Sequence, residues 1–126
     1  MQSQNNTGLQ YDKQHAVTLV ATAEVQEARF VGYDGAHATS AGGLHDAQGV
    51  SEFPAAPGRA LSIVTGYSAL VEASEALDFG DWVKPAADGS GRAAKGSATD
   101  HCGRALGTAA QAGQLLEVQV LGHVHG

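Results

Sequence analysis

Ala28-Arg29-Phe30-Val31-Gly32-Tyr33-Asp34-Gly35 is a short strand closed by an Asp-Gly turn, and it returns about fifty residues later as Gly80-Asp81-Trp82-Val83 followed by Asp88-Gly89. Working outward from this pair, the two halves of the chain keep step. Val17, Leu19 and Ala21 fall on Ala69, Val71 and Ala73, and Val25 falls on Leu77. Further on, Ala55-Ala56-Pro57-Gly58 with Leu61 and Ile63 falls on Ala110-Gln111-Ala112-Gly113 with Leu116 and Val118. Apolar positions meet apolar positions, and turn residues meet turn residues. A repeat of this length is one supersecondary unit that cannot bury its apolar face alone. Two copies imply a closed body with two look-alike halves rather than an open solenoid.

Around that frame the pattern is period two. Val17, Leu19 and Ala21 alternate with Thr18, Val20 and Thr22, as in a strand with one buried face. Leu61, Ile63 and Thr65 share a face, as do Ala69, Val71 and Ala73, with Leu70 opposite. Leu116, Val118 and Val120 form a third such face. Pro54, Pro57 and Gly58, then Pro85 to Gly91, are turn signals, and no segment keeps a helical period. These spacings predict an all-β fold, a small β-barrel or β-sandwich, with an internal pseudo-twofold repeat and an extended N-terminal arm. Residues 1–14 would be the arm and residues 15–122 a single β domain, with half-repeats at about 17–66 and 69–122. Residues 123–126 would be a tail. The expected core is Phe30, Val31, Leu61, Ile63, Trp82, Val83, Leu116 and Val118, with Phe30 and Trp82 as matching plugs of the two halves.

The totals bound the function. A chain of 126 residues is one domain by length. With 17 glycines and only 6% aromatics, its core is built mainly from Ala, Val, Leu and Ile. Charged residues are 16%, which leaves small, neutral surface suited to packing against copies or partners. The net charge of −6 and the lack of a basic stripe argue against nucleic acid, since the counterion-release term is missing. The single cysteine, Cys102, excludes an intrachain disulfide. Met1 to Gln14 has no apolar core of a signal peptide, and no apolar run is long enough for a helical span, so no membrane partner is expected.

Candidate chemistry is sparse. His101 and Cys102 are adjacent on an extended chain and point to opposite sides, so they do not make a base–thiol pair. His123 and His125, two apart, face the same way and could ligate a metal, but two ligands from one chain are too few; a solvated tail is the simpler expectation. Asp34 and Asp81 are expected to satisfy local amides in turns. No phosphate loop, dinucleotide fingerprint, catalytic acid pair or zinc-protease motif is present, so neither catalysis nor a cofactor is expected.

The repeat, laid out with its turns, resembles the bacteriophage capsid cement, or head decoration, family. The resemblance runs over about residues 10–122. It rests on Arg29-Phe30-Val31-Gly32-Tyr33-Asp34-Gly35, Gln48-Gly49-Val50 and Gly66 with Ala69-Leu70-Val71-Glu72-Ala73. Gly80-Asp81-Trp82-Val83, Gly103-Arg104-Ala105-Leu106, and Ala109 to Gly113 before Leu116-Glu117-Val118-Gln119-Val120 complete it. The Asn-rich start and the Gly-His-Val-His-Gly finish stand outside it. The resemblance implies a small β body on the exterior of a virion head, assembled in the host cytoplasm, that bridges major capsid protein subunits and strengthens the shell against packaged DNA. Repeated contacts on a shell favour an oligomer, a homotrimer before a homodimer. The arm, through Asn5, Asn6, Leu9 and Tyr11, is expected to add to a capsid strand edge. Two other readings fit a β body of this kind. One is a virion-displayed carbohydrate-binding module using Tyr11, Tyr33, Tyr67 and Trp82; the other is a biotinyl- or lipoyl-type carrier, whose lysine would have to be Lys84 or Lys95.

Overall fold

Small and β-branched residues alternating with polar ones set strands from Ala16 onward, and glycine-bearing turns end them. The structure, a computed structural model, describes residues 16–124. Asn5, Asn6, Leu9, Tyr11 and His125 lie outside the described residues. The strands are β1 (Ala16–Val20), β2 (Phe30–Gly32), β3 (Ala47–Ser51), β4 (Ala60–Val64), β5 (Ser68–Glu72), β6 (Trp82–Pro85), β7 (Ala93–Lys95), β8 (His101–Ala105) and β9 (Leu115–Val124). A 3₁₀ turn at Gly43–His45 is the one helical element among the described residues.

Two antiparallel sheets result, in the orders β1-β4-β3-β2 and β5-β9-β8-β6-β7. Strip β7 from the second and the two orders are the same. The registers agree as well. Leu19 opposes Leu61 and Val71 opposes Leu116; Val31 opposes Gly49 and Val83 opposes Gly103. Outside the strands, Val25 bridges Ala55 as Leu77 bridges Ala109. Even single turn bonds recur. The Gly58 N–H donates to Ala21 O at 2.7 Å, and the Gly113 N–H donates to Ala73 O at 2.8 Å. Both glycines have positive φ, which only glycine adopts without cost.

Each sheet curls around its own apolar cluster. In the first half Thr22 N–H donates to Gly35 O at 3.1 Å, drawing the turn after β2 toward the end of β1. In the second, Ser74 N–H donates to Ala93 O at 2.8 Å, drawing the start of β7 toward the end of β5. The first cluster holds Ala21, Val25, Val31, Ala55, Leu61 and Ile63. Its counterparts Ala73, Leu77, Val83, Ala109, Leu116 and Val118 are all in the second. Full burial of a side chain such as Ile63 contributes roughly 2 kcal/mol, so these short strands are held by the curl more than by their lengths.

The second cluster also takes in Phe30, Ala47 and Val50 from the outer face of the first sheet, with Ala38 from the loop after β2. One half therefore leans its outer face on the other. That asymmetry corrects the expectation for Trp82. Phe30 is buried, but Trp82 is only half-buried and belongs to neither cluster. The second half covers the Phe30 face, and among the described residues no further half covers the Trp82 face. The expected tail is also corrected. β9 continues to Val124, and the His123 side chain is only 3% exposed because its Nδ1 accepts the Ala47 N–H at 2.8 Å.

Candidate interaction surface

Where the halves meet, charge and backbone clasp each other. Arg29, buried at the start of β2, donates to Ser90 O at 2.8 Å, Gln26 Oε1 at 2.8 Å and Glu72 Oε1 at 3.2 Å. Arg92 reaches the other oxygen of Glu72 at 3.5 Å. Backbone bonds run alongside: Phe30 N–H to Gly91 O at 2.7 Å, and Glu72 N–H to Ala28 O at 2.9 Å. Gly91 has to be glycine here, since a Cβ would sit 2.7 Å from Phe30 O. His37 completes the clasp. Its Nε2 accepts the Gln26 N–H at 3.1 Å, and burial, with the Arg29 charge, lowers its pKa while a hydrogen bond to the Gly89 backbone opposes the shift.

Beside the clasp lies an open groove of about 350 Å³. The first half contributes Glu27, Ala28, Ser51, Glu52, Phe53 and Val64, and the second contributes Ser68, Ala69, Leu70 and Leu115. Phe53, Leu70 and Leu115 are each more than half exposed. Val64 points to this side of β4 yet is buried, an outcome the alternation alone did not reveal.

The outer face of the second sheet is different in kind. Arg104 lies 4.2 Å from the centre of the Trp82 ring, and the His101 ring packs on it at 4.1 Å. The guanidinium is held there by Arg104 Nε donating to Gly80 O at 2.9 Å. Beyond this stack Phe79 is 69% exposed and Leu106 is 37% exposed. On the first half, Val17 and Val20 of edge strand β1 are exposed at 38% and 58%.

Other residues singled out in the sequence fall as follows. Phe30, Val31, Leu61, Ile63, Val83, Leu116 and Val118 are core. Asp34 accepts the Ala36 N–H at 3.1 Å and Asp81 accepts the Asp78 N–H at 2.9 Å, so both carboxylates close turns. Cys102 is buried in the second cluster, and burial pushes its thiol well up, with Asp100 and Asp46 adding to the effect. His101 Nδ1 meets Ser97 O at 3.0 Å. His123 Nδ1 is occupied by the Ala47 N–H and so is not open to a metal through that atom. Lys84 pairs with Asp100 at 3.1 Å and Lys95 with Asp81 at 3.8 Å; neither stands on the hairpin that joins the halves. One ring face of Trp82 is covered by Arg104. The groove, the Arg29–Glu72 clasp and the exposed Phe79 and Leu106 were not read from sequence. A signal existed: Glu27 and Glu52 correspond to Phe79 and Leu106, a switch from charged to apolar at matched positions.

The architecture is thus an all-β module of two register-matched halves. No family model matches the chain, and no curated protein matches it. Among solved structures it is similar to the head fiber gp8.5 N base of bacteriophage phi29. The two are 18% identical with a TM-score of 0.62, over 88% of this chain and 98% of that one.

Proposed function

We propose that this chain is a structural protein of a phage virion, bound to the head. The observation that carries this reading is the shared fold with a head fibre base, which extends over nearly the whole of both chains. More finely, the protein decorates the outer surface of the shell and bridges major capsid protein subunits, as the resemblance of its strand-and-turn repeats implies. It works by binding alone, without catalysis or cofactor. It binds as a homotrimer, so that a modest contact per protomer is multiplied over the shell. Residues 1–14 supply the arm that adds to a capsid strand edge, main-chain hydrogen bonds giving affinity.

Purified protein mixed with undecorated heads tests this by imaging. Ordered density on the shell exterior, and heads that retain DNA to higher temperature, are expected. Heads that stay bare at saturating protein overturn the reading. Deleting residues 1–12 should abolish attachment while the strand signature in circular dichroism is unchanged. Undiminished attachment removes the arm from the interface.

A further inference from the structure

We infer that the end of the second half carrying Phe79, Gly80, Trp82, Arg104 and Leu106 docks onto the β1 edge of a second copy of this chain, repeating between molecules the contact that joins the two halves within one. This names the surface behind the self-association proposed above and rests on that part of it only.

The equivalence of the two ladders continues through the junction between the halves. Within the chain, the first half presents Glu27, Ala28, Ser51 and Glu52 to Ser68, Ala69, Leu70 and Glu72 of the second. The matched residues of the second half's free end are Phe79, Gly80, Ala105 and Leu106. Those of the first half's free end are Ala16, Val17, Thr18 and Val20. The match is fixed by bonds, not by likeness of sequence. Ala28 N–H donates to Ser51 O as Gly80 N–H donates to Ala105 O, at 3.0 and 2.8 Å. Glu52 N–H donates to Ser62 O as Leu106 N–H donates to Glu117 O, at 3.2 and 2.8 Å. On the outer face, the pair Phe30–Val50 has its counterpart in Trp82–Arg104.

Two surfaces that correspond to the two sides of an existing contact are built to meet. At three of the matched positions charge gives way to apolar surface, while Leu70 becomes Thr18. Both acids that border the internal groove, Glu27 and Glu52, become the exposed apolar Phe79 and Leu106. Glu72, which pairs with Arg29 inside the chain, becomes the exposed Val20. Arg29 itself becomes Asp81, so the internal ion pair has no external version. Phe79, Leu106 and Val20 put apolar surface in place of charge where a third half would sit, and Asp81 is engaged in its own turn. Scattered exposed apolar residues need no explanation, but these sit at paired, predetermined places. Trp and Arg at the centre fit the residue types that dominate interface energy. The contact is head-to-tail, so it uses two different patches and can close into a ring.

The test uses three substitutions that borrow the residue the other half already carries: Phe79→Glu after Glu27, Leu106→Glu after Glu52, and Val20→Glu after Glu72. All three sites are exposed, and unchanged circular dichroism and thermal midpoint confirm folding. Light scattering of the purified full chain should give a multiple of the 12.8 kDa protomer. Phe79→Glu, Leu106→Glu and Val20→Glu should each reduce the particle to one protomer. Mixing Phe79→Glu with Val20→Glu should yield a one-to-one pair and nothing larger, since each retains the patch the other lacks. A monomeric wild type, an oligomer unmoved by any one of the variants, or a mixture that stays monomeric overturns the proposal. Because no heads are present, this outcome is independent of whether the protein decorates them.

Discussion

Ala28 and Gly80 hold the same place in the two halves, and both have positive φ, 58° and 90°. For a residue with a Cβ that conformation costs about 1–2 kcal/mol, while glycine pays instead in unfolded-state freedom. Ala28→Gly is therefore expected to raise stability by about 0.5 kcal/mol, the difference of those terms. Gly80→Ala should lower it by about 1 kcal/mol, since a Cβ at Gly80 meets nothing within 4 Å and only the backbone is strained. Urea midpoints of the two variants check both signs, and a loss for Ala28→Gly refutes the strain. At this scale the sequence was readable where a residue faces its own half. Phe30 and Trp82 were matched correctly as positions, but their burial differs because burial depends on what lies across the sheet, which no local pattern encodes.

Gly49 and Gly103 show what holds the elements at their spacing. They stand at equivalent places in β3 and β8, opposite Val31 and Val83. A Cβ at Gly103 would lie 2.6 Å from both Gln119 O and Val118 Cγ1, and one at Gly49 would press on Val64 O and Ile63 Cγ2. In each case the obstacle includes backbone of the neighbouring strand, which cannot step aside without opening the ladder. Gly49→Ala and Gly103→Ala are each expected to cost about 1–3 kcal/mol, the usual range for overpacking a filled core. Chemical denaturation measures it, and a neutral result at either site would mean that the curl is not limited by this approach. Strand positions, turns and the alternating faces were legible because period two and turn chemistry are local. β9 runs to Val124, past the expected start of the tail at 123: His123 and Val124 look like a tail until β3 is placed beside them and Ala47 N–H bonds the imidazole.

For the whole molecule, His37 makes the joint between halves sensitive to acid. Neutral, it accepts the Gln26 N–H and bonds the Gly89 backbone; protonated, its Nε2 would face a donor with a donor, next to the Arg29 charge. Its pKa in the fold is lowered from 6.5, so below that value the unfolded chain takes up the proton more readily. Its contribution is fully present above about pH 6.5 and is lost as pH falls through the folded-state value. Denaturant midpoints should drop between about pH 7 and pH 5, and His37→Gln should flatten that slope; an unchanged slope assigns the acid sensitivity to other groups. The sequence by itself determined the two halves, their strands and their common order, because a repeat and a period-two pattern are written along the chain. Only the tertiary structure decided which outer face is covered, where Arg29 finds Glu72, and which apolar residues are left outside. Those outcomes depend on one half docking against the other, a relation between residues far apart in sequence that each half, read alone, does not contain.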